Sequence, residues 1–310
     1  MRNPKFGGRA SLPAILIICT IFAGVLEARA PLDQEIETAM KESGATSVGI
    51  YYEDPSGRVY EYNADEIFHA ASTMKVAVMM EVFWQVEAAT LKLDQPVMIK
   101  NEFKSIMDGS PFSLTPEDDD DKDLYKQIGQ TLPLQNLIQR MINTSSNFAT
   151  NLIIQLVSAK KVMELMGEIG AKSMTVLRGV EDIKAYDAGK NNTTSARALA
   201  TCMKTIANSD LYSAQSRKAM LEILLSQHSR NGIPAGIRST ERGLQVASKD
   251  GWITEIHHDS AIIRDSSGHN SYLVILTRGV KEELRGQKLV ATLAGMVWDR
   301  LSYEERYSPP

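Results

Sequence analysis

Residues 72–84 read STMKVAVMMEVFW, so a serine and a lysine stand three positions apart at the start of a long apolar run. If this run is an α-helix, Ser72 and Lys75 lie on one face, roughly 5–6 Å apart at Cβ. Burial lowers the pKa of a lysine, and an amine that has lost its proton can activate a serine hydroxyl. The stretch therefore predicts a core helix with a nucleophile, Ser72, in its first turn and a base, Lys75, beside it.

Two shorter motifs follow along the chain. SSN at residues 145–147 lies between two helical runs, and KDG at residues 249–251 ends a run with strand character. A second S-x-x-K begins at Ser158. We interpret it as a solvated helix end, because neither a helix start nor companion motifs accompany it.

The N-terminus has the basic, apolar and small-residue parts of a secretion signal. We predict a signal peptide over residues 1–28, with cleavage after Ala28 or, less easily because Pro31 follows, after Ala30. The apolar stretch is shorter than the about 20 residues that a membrane span needs. We expect a secreted or periplasmic protein with no stable membrane insertion; an uncleaved anchor or a lipoprotein at Cys19 are the alternatives.

Net charge and cysteine content indicate which partners and which covalent cross-links the protein can have. The 310 residues carry a formal net charge of -4 and no basic patch, which argues against nucleic-acid binding. Once the signal is removed, Cys202 is the remaining cysteine, so no intramolecular disulfide can form, and its apolar neighbours predict a core position. We expect a monomer.

Hydrophobic periodicity predicts strands towards both ends of the chain and helices between them. Strands are predicted at residues 47–52, 58–62, 244–248, 260–263 and 271–276, and helices at residues 32–41, 134–142, 147–157, 162–169, 195–207, 213–225 and 286–301. This order indicates an α/β (α+β) protein with an all-α insertion. We predict one domain, residues 31–310, with an α/β lobe at about 31–95 and 226–310 and an all-α lobe at about 96–225.

Some polar segments suggest metal sites. Residues 101–130 read as a loop with an acidic run, EDDDDKD, at 117–123, but the spacing is not that of an EF-hand and we interpret the run as solvated. HHD at residues 257–259 has no third ligand at helical spacing, and for His69 we favour a packing role. We predict neither a metal nor a cofactor.

The ordered set S-x-x-K, S-x-N, K-x-G resembles the penicillin-recognising serine enzymes, most closely the class A β-lactamases. The resemblance covers essentially the whole chain after the signal. The interval from Ser72 to Ser145 is longer than in the family, and residues 101–130 can absorb the excess. The resemblance implies a β-lactamase-like antiparallel sheet flanked by helices, and a small-molecule β-lactam or a peptidoglycan peptide as substrate.

The resemblance also implies a role for each motif residue. Ser72 attacks a cyclic amide with the help of Lys75, and Ser145 relays a proton towards the leaving nitrogen. The backbone N–H groups of Ser72 and Trp252 form an oxyanion hole. The implied substrate-binding residues are Asn147, Lys249, Gly251 and Trp252.

Fast hydrolysis in class A depends on a glutamate between the second and third motifs, which activates water. Glu181 lies at the matching distance beyond Ser145 and is the predicted deacylation base. Asp182 and Asp187 are alternatives, as is a loop whose acids are merely solvated.

Four positions depart from the family pattern. Asp250 stands where the family has threonine or serine, and it adds a negative charge where an anionic β-lactam would bind. Ser146 replaces an aspartate, Ala185 stands where the family has a water-binding asparagine, and Asn192 replaces the acid that would close the loop on Arg178.

We therefore expect an exported serine β-lactamase that forms and hydrolyses an acyl-enzyme at Ser72. The first alternative is a penicillin-binding D-alanyl-peptide hydrolase, or a slow β-lactam binder, in cell-wall metabolism. The second is a non-catalytic cell-wall-binding module that retains the fold.

Overall fold

The structure, a computed structural model, describes residues 31–307, with side chains as far as Ser302, and the predicted signal peptide lies outside them. The described residues belong to one compact unit. None of their helices is both long and apolar enough to cross a membrane. The helices are α1 Leu32–Ser43, α2 Lys75–Glu87, α3 Lys122–Tyr125, α4 Leu134–Asn143, α5 Asn147–Val157, α6 Ala159–Glu168, α7 Ile183–Asp187, α8 Ala196–Asn208, α9 Ala214–Leu225, α10 Ile233–Gly236 and α11 Glu283–Tyr307. The strands are β1 Ser47–Glu53, β2 Val59–Tyr62, β3 Phe68–His69, β4 Pro96–Met98, β5 Phe103–Lys104, β6 Pro111–Phe112, β7 Thr131–Pro133, β8 Thr193–Thr194, β9 Gln245–Ile253, β10 Ile256–Arg264 and β11 Asn270–Arg278.

Five strands form one antiparallel sheet in the order β2-β1-β11-β10-β9. Successive side chains of a strand point to opposite faces. Accordingly, Leu273 and Ile275 of β11 belong to one hydrophobic cluster, whereas Val274 and Leu276 belong to another. Both faces of the sheet are covered, which explains why residues 272–276 of β11 are apolar without interruption.

Helices cover each face of the sheet. On one face α1, α10 and α11 pack over the cluster that contains Ile36, Ile275 and Leu293. On the other face α8 contacts β1, β10 and β11. The predicted fold class, an α/β (α+β) protein with an antiparallel sheet flanked by helices, is confirmed.

The helix α2 is the central helix of the hydrophobic cluster that contains Val274 and Leu276. Every side chain from Val76 to Phe83 is buried, and the helix contacts α4, α5, α6, α8 and α9. Full burial of one large apolar side chain contributes about 1.5–3 kcal/mol relative to exposure. The predicted core helix is present, but Ser72 lies in a 3₁₀ turn, Ala71–Met74, and α2 begins only at Lys75.

Several predicted boundaries are wrong. The strand β10 begins at Ile256 rather than at 260, because the polar residues 257–259 conceal a strand whose side chains are buried. The strand β9 runs past the KDG motif to Ile253, so the motif lies inside a strand. Directly after Ser158 the helix α6 begins, which corrects the interpretation of this serine as only a helix end.

The range 96–225, predicted as an all-α lobe, also contains β structure. Two-stranded ladders join β4 to β7, β5 to β6 and the short β3 to β8. The helix α8, inside the same range, packs on the sheet. The helices that surround α2 are therefore bordered by short ladders, and the segment predicted as loop at 101–130 holds β5, β6, α3 and a 3₁₀ turn.

The acidic run is not simply solvated, which corrects the interpretation from sequence. Asp119 and Asp121 are buried, at 5% and 6% relative exposure. A carboxylate oxygen of Asp119 accepts a hydrogen bond from the backbone N–H of Phe148 at 2.7 Å, at the start of α5. Asp121 forms an ion pair with Arg140 at 2.7 Å. Through these contacts the acidic run, residues 117–123, is held against α4 and α5, the helices on either side of the SSN motif.

Removing the Asp119 carboxylate should destabilise the fold. Asp119→Ala leaves the Phe148 N–H, in the first turn of α5, without its acceptor, which costs about 1–3 kcal/mol of unfolding free energy. The exposed neighbour Glu117 provides the matched control, and Glu117→Ala should stay within about 0.5 kcal/mol of the wild type. Urea unfolding of the three proteins measures the difference. Equal losses in both variants would mean that Asp119 anchors nothing.

Candidate active site

The backbone around Ser72 is unusually constrained. Ala71, the preceding residue, has φ +46°, in the left-handed region that side chains with a Cβ rarely adopt. Its N–H donates to Nδ1 of His69 at 3.0 Å, and the Thr73 hydroxyl donates to the carbonyl of Ala70 at 2.6 Å. Such strain concentrates at functional sites. Here it holds the half-buried Ser72 at the start of α2.

The strand β9 passes directly beside this turn. A Cβ on Gly251 would lie 2.8 Å from the backbone nitrogens of both Ser72 and Thr73. Only glycine therefore allows this approach. The KDG and STMK motifs, far apart in the chain, meet backbone to backbone.

The Lys75 amine is completely buried and fully engaged. Its Nζ donates to the carbonyl oxygen of Ser145 at 2.5 Å, to Oδ1 of Asn147 at 2.9 Å and to the Ser145 hydroxyl at 3.2 Å. Burial and, to a smaller extent, the positive charge of Lys249 lower the pKa of Lys75 to about 7. Near neutral pH a large fraction of this amine is therefore unprotonated.

Ser145 lies between two lysines. Besides its contact with Lys75, its Oγ accepts a hydrogen bond from Nζ of Lys249 at 3.2 Å. Ser145 has φ +57°, a further strained position. Because both amines can donate to Oγ, the Ser145 proton is free to point into the cleft.

Asp250 also contacts Lys249. Its Oδ1 accepts hydrogen bonds from Lys249 Nζ at 2.8 Å and from Gln227 Nε2 at 2.5 Å. Burial alone would raise the pKa of Asp250, but the Lys249 charge and these hydrogen bonds outweigh it and lower the pKa. Asp250 is thus a carboxylate that already neutralises the lysine of its own motif.

Glu181 lies in a loop that approaches the same place. It is half-buried, and its φ is +61°. Desolvation and the Asp118 carboxylate raise the pKa of Glu181, whereas Arg178 and Lys75 oppose the shift. Glu181 therefore lies near enough to Lys75 for the two charges to interact.

The two alternative acids have different surroundings. The Asp182 oxygens accept hydrogen bonds from the Ser105 hydroxyl at 2.8 Å, the Ile106 N–H at 2.9 Å and the Ala185 N–H at 3.2 Å. Asp182 is therefore a buried anchor at the start of α7. Asp187, at the end of α7, is exposed.

The loop from Arg178 to Asn192 is closed by amides rather than by an ion pair. The Asn192 side chain accepts from the Leu177 N–H at 2.8 Å and donates to the Arg178 carbonyl at 3.1 Å. From α5, Asn151 holds both the N–H and the carbonyl of Val180, at 2.7 and 2.8 Å. No sequence motif identified Asn151, because its partner is distant in the chain.

The histidines and the cysteine have structural surroundings. His258 is buried between the His69 carbonyl, 2.9 Å away, and the Thr277 N–H, 3.1 Å away. Among the described residues no three or more histidine, cysteine, aspartate or glutamate side chains form a group that could hold a metal. Cys202 is buried in the core, and burial raises the pKa of its thiol to about 12.

Beyond the two lysines the cleft opens to solvent. Ser145, Asp250 and Trp252 line it, with a volume of about 330 Å³. Trp252 is 47% exposed and forms part of its rim. The structure thus brings together residues from all three motifs.

The sheet with its inserted helices, and a serine hydroxyl between two lysines, are typical of the serine β-lactamase class. The chain belongs to the β-lactamase enzyme family, whose model matches residues 31–301. The resemblance to class A enzymes is confirmed by this membership, and with it the prediction of a serine hydrolase of the β-lactamase type.

Individual relatives agree with this assignment. The chain is 24% identical to a β-lactamase from Bacillus licheniformis over 305 residues, which cover 93% of this chain and 94% of the relative. It is 22% identical to β-lactamase CARB-3 of Pseudomonas aeruginosa over 237 residues, 74% of this chain and 77% of the relative. Among solved structures it resembles PBP-A with a TM-score of 0.73 and 23% identity, over 88% of this chain and 96% of PBP-A.

The pKa of Lys75 can be tested without any substrate. We expect the Lys75 side-chain amine to titrate near pH 7, measured by heteronuclear NMR of labelled lysine and assigned with Lys75→Met. Removing the nearby positive charge in Lys249→Met should raise this pKa, because the two ammonium groups repel each other. The exposed Lys160 provides the control, since Lys160→Met should leave it unchanged. Titration near the ordinary value of 10.5 in the wild type would contradict the assignment.

Proposed function

We propose that this protein is an exported serine hydrolase that opens β-lactam rings through an acyl-enzyme on Ser72. One observation carries the proposal: the Lys75 and Lys249 amines meet at the Ser145 hydroxyl, each at 3.2 Å, while Gly251 brings the third motif against the Ser72 backbone. A buried neutral amine, a relay hydroxyl and a serine nucleophile are the groups that acyl transfer requires.

In the first step, unprotonated Lys75 accepts the Ser72 proton and Oγ attacks the cyclic amide carbonyl. The backbone N–H groups of Ser72 and Trp252 stabilise the oxyanion, a contribution of about 10²–10³ in rate for one donor. The C–N bond then breaks, and the leaving nitrogen receives a proton through Ser145, which Lys75 resupplies. The products are an ester on Ser72 and an amine within the opened ring.

In the second step, ionised Glu181 removes a proton from water, whose oxygen attacks the ester. The Ser72 Oγ–carbonyl bond breaks, and Ser72 regains its proton. The raised pKa of Glu181 makes it a stronger base than an exposed carboxylate. Asp182 is less suited, because hydrogen bonds from Ser105, Ile106 and Ala185 already occupy its oxygens.

A slow penicillin binder of cell-wall metabolism is the alternative function. Ala185, buried and apolar, stands where the family has a water-binding asparagine, so this site supplies less support for the deacylating water. PBP-A, which shares the fold, has been solved as a mutant in an acyl-enzyme complex with penicillin G. The chemistry up to the ester is the same in both functions.

The lifetime of the Ser72 ester separates these functions. We expect intact-protein mass spectrometry after mixing with a penicillin to detect an adduct that disappears as product forms, and Ser72→Ala to show none. An adduct that persists would indicate the slow binder. If neither a penicillin nor a fluorophosphonate modifies Ser72, the protein is a non-catalytic module and the proposal is wrong.

Replacing Glu181 should separate the two steps. Glu181→Gln should acylate at an undiminished rate and then stall, with deacylation slower by about 10²–10⁴-fold. Asp187→Asn, on the same loop, is the matched control and should turn over normally. Single-turnover measurements with a chromogenic cephalosporin determine both rates. Unchanged deacylation in Glu181→Gln would remove Glu181 from the mechanism.

A further inference from the structure

The cleft next to Lys249 is lined by hydrogen-bond acceptors and by negative charge. Asp120, Asp250 and Glu283 contribute carboxylates to it, and no lysine or arginine is among the described residues that line it. Desolvation, together with the Asp119 and Asp250 carboxylates, raises the pKa of Asp120, although Lys75 opposes the shift. An anion entering this cleft would be repelled by these carboxylates.

The lysine that a substrate carboxylate would need is already occupied. Lys249 is fully buried, and its Nζ contacts Asp250 twice, at the side-chain oxygen 2.8 Å away and at the carbonyl 2.9 Å away. The two charges largely cancel towards the cleft. Asp250 stands where the family has a hydroxyl that helps to bind this carboxylate.

Two side chains of the cleft wall carry a buried oxygen without a partner among the described residues. Gln227 is only 4% exposed, and its Oε1 has no hydrogen-bond partner among the described residues. The orientation of this amide is determined by Asp250, because a carboxylate can only accept and so requires Nε2. The Asn143 Oδ1, on the same cleft, also lacks a partner within the described part of the chain. Both oxygens are buried in the wall of the cleft, where an acceptor without a donor is costly.

We propose that this cleft binds a positively charged, hydrogen-bond-donating group of the substrate, such as an ammonium, where a penicillin carries its carboxylate. The inference rests on the proposed acyl transfer at Ser72 and specifies its substrate class. An ammonium supplies positive charge and three donors, which suit a cleft lined by the carboxylates of Asp120, Asp250 and Glu283. Preferred substrates then carry an amine close to the scissile amide.

The test uses one cephalosporin nucleus in three forms: the free carboxylate, its neutral carboxamide and a cationic aminoethyl amide. For the wild type we expect kcat/KM to rise in that order, with the cationic form at least about tenfold better than the carboxylate. Equal or better hydrolysis of the carboxylate would overturn the inference. If no form acylates Ser72 and a fluorophosphonate also fails, the proposed function fails instead.

Variants test whether the acceptors cause the preference. Asp250→Asn should reduce the ratio of cationic to carboxylate kcat/KM by about tenfold. Because this change leaves Lys249 without its partner and endangers folding, Asp120→Asn and Glu283→Gln provide a second test, with smaller reductions of the same sign. Asp210→Asn, a fully exposed carboxylate outside the cleft, removes the same charge and should leave the ratio unchanged. A ratio that stays constant in all the cleft variants would refute the assignment.

Discussion

The burial of one amine organises this molecule. Lys75 lies at the start of the most buried helix, and its three donors are taken by Ser145 and Asn147. A charge in that position is costly, and the carbonyl and amide oxygens of the SSN motif reduce the cost only if the loop before α5 is held in place. Asp119 provides that restraint by accepting from the first turn of α5. The low pKa of Lys75 and the position of the acidic segment are consequences of the same packing.

The sequence predicts those features that depend on residues close together in the chain, and it does not predict those that depend on distant partners. The helix at α2 and the strand at β11 are visible because their apolar patterns are local and continuous. The motif residues are visible because the proposed acyl transfer restricts which side chains can stand together. By contrast, Asp119 and Gln227 act on partners 29 and 23 positions away, and neither belongs to a motif. Residues 257–259 misled the interpretation because their polarity suggests exposure, whereas the sheet satisfies His258 and Asp259 internally.

The loop that carries Glu181 illustrates a second limit. Each departure from the family pattern can be seen in the sequence as a single substitution. Their combined effect on the loop depends on which hydrogen bonds form in the folded protein. Losing the acid opposite Arg178 does not open the loop, because Asn192 bridges the backbone at Leu177 and Arg178. The guanidinium of Arg178 instead donates to the carbonyls of Lys190 and Gly179. Counting ion pairs alone would have predicted a looser segment than these hydrogen bonds produce.

This closure by amides has a consequence for the environment in which the loop can keep its shape. An amide neither gains nor loses a proton across the biological range of acidity, and dissolved ions screen its hydrogen bonds far less than they screen an exposed pair of opposite charges. The hydrogen bonds of Asn192 and Asn151 are therefore insensitive to low pH and to high salt concentration. The backbone between Leu177 and Val180 therefore stays fixed in acidic and in saline surroundings alike.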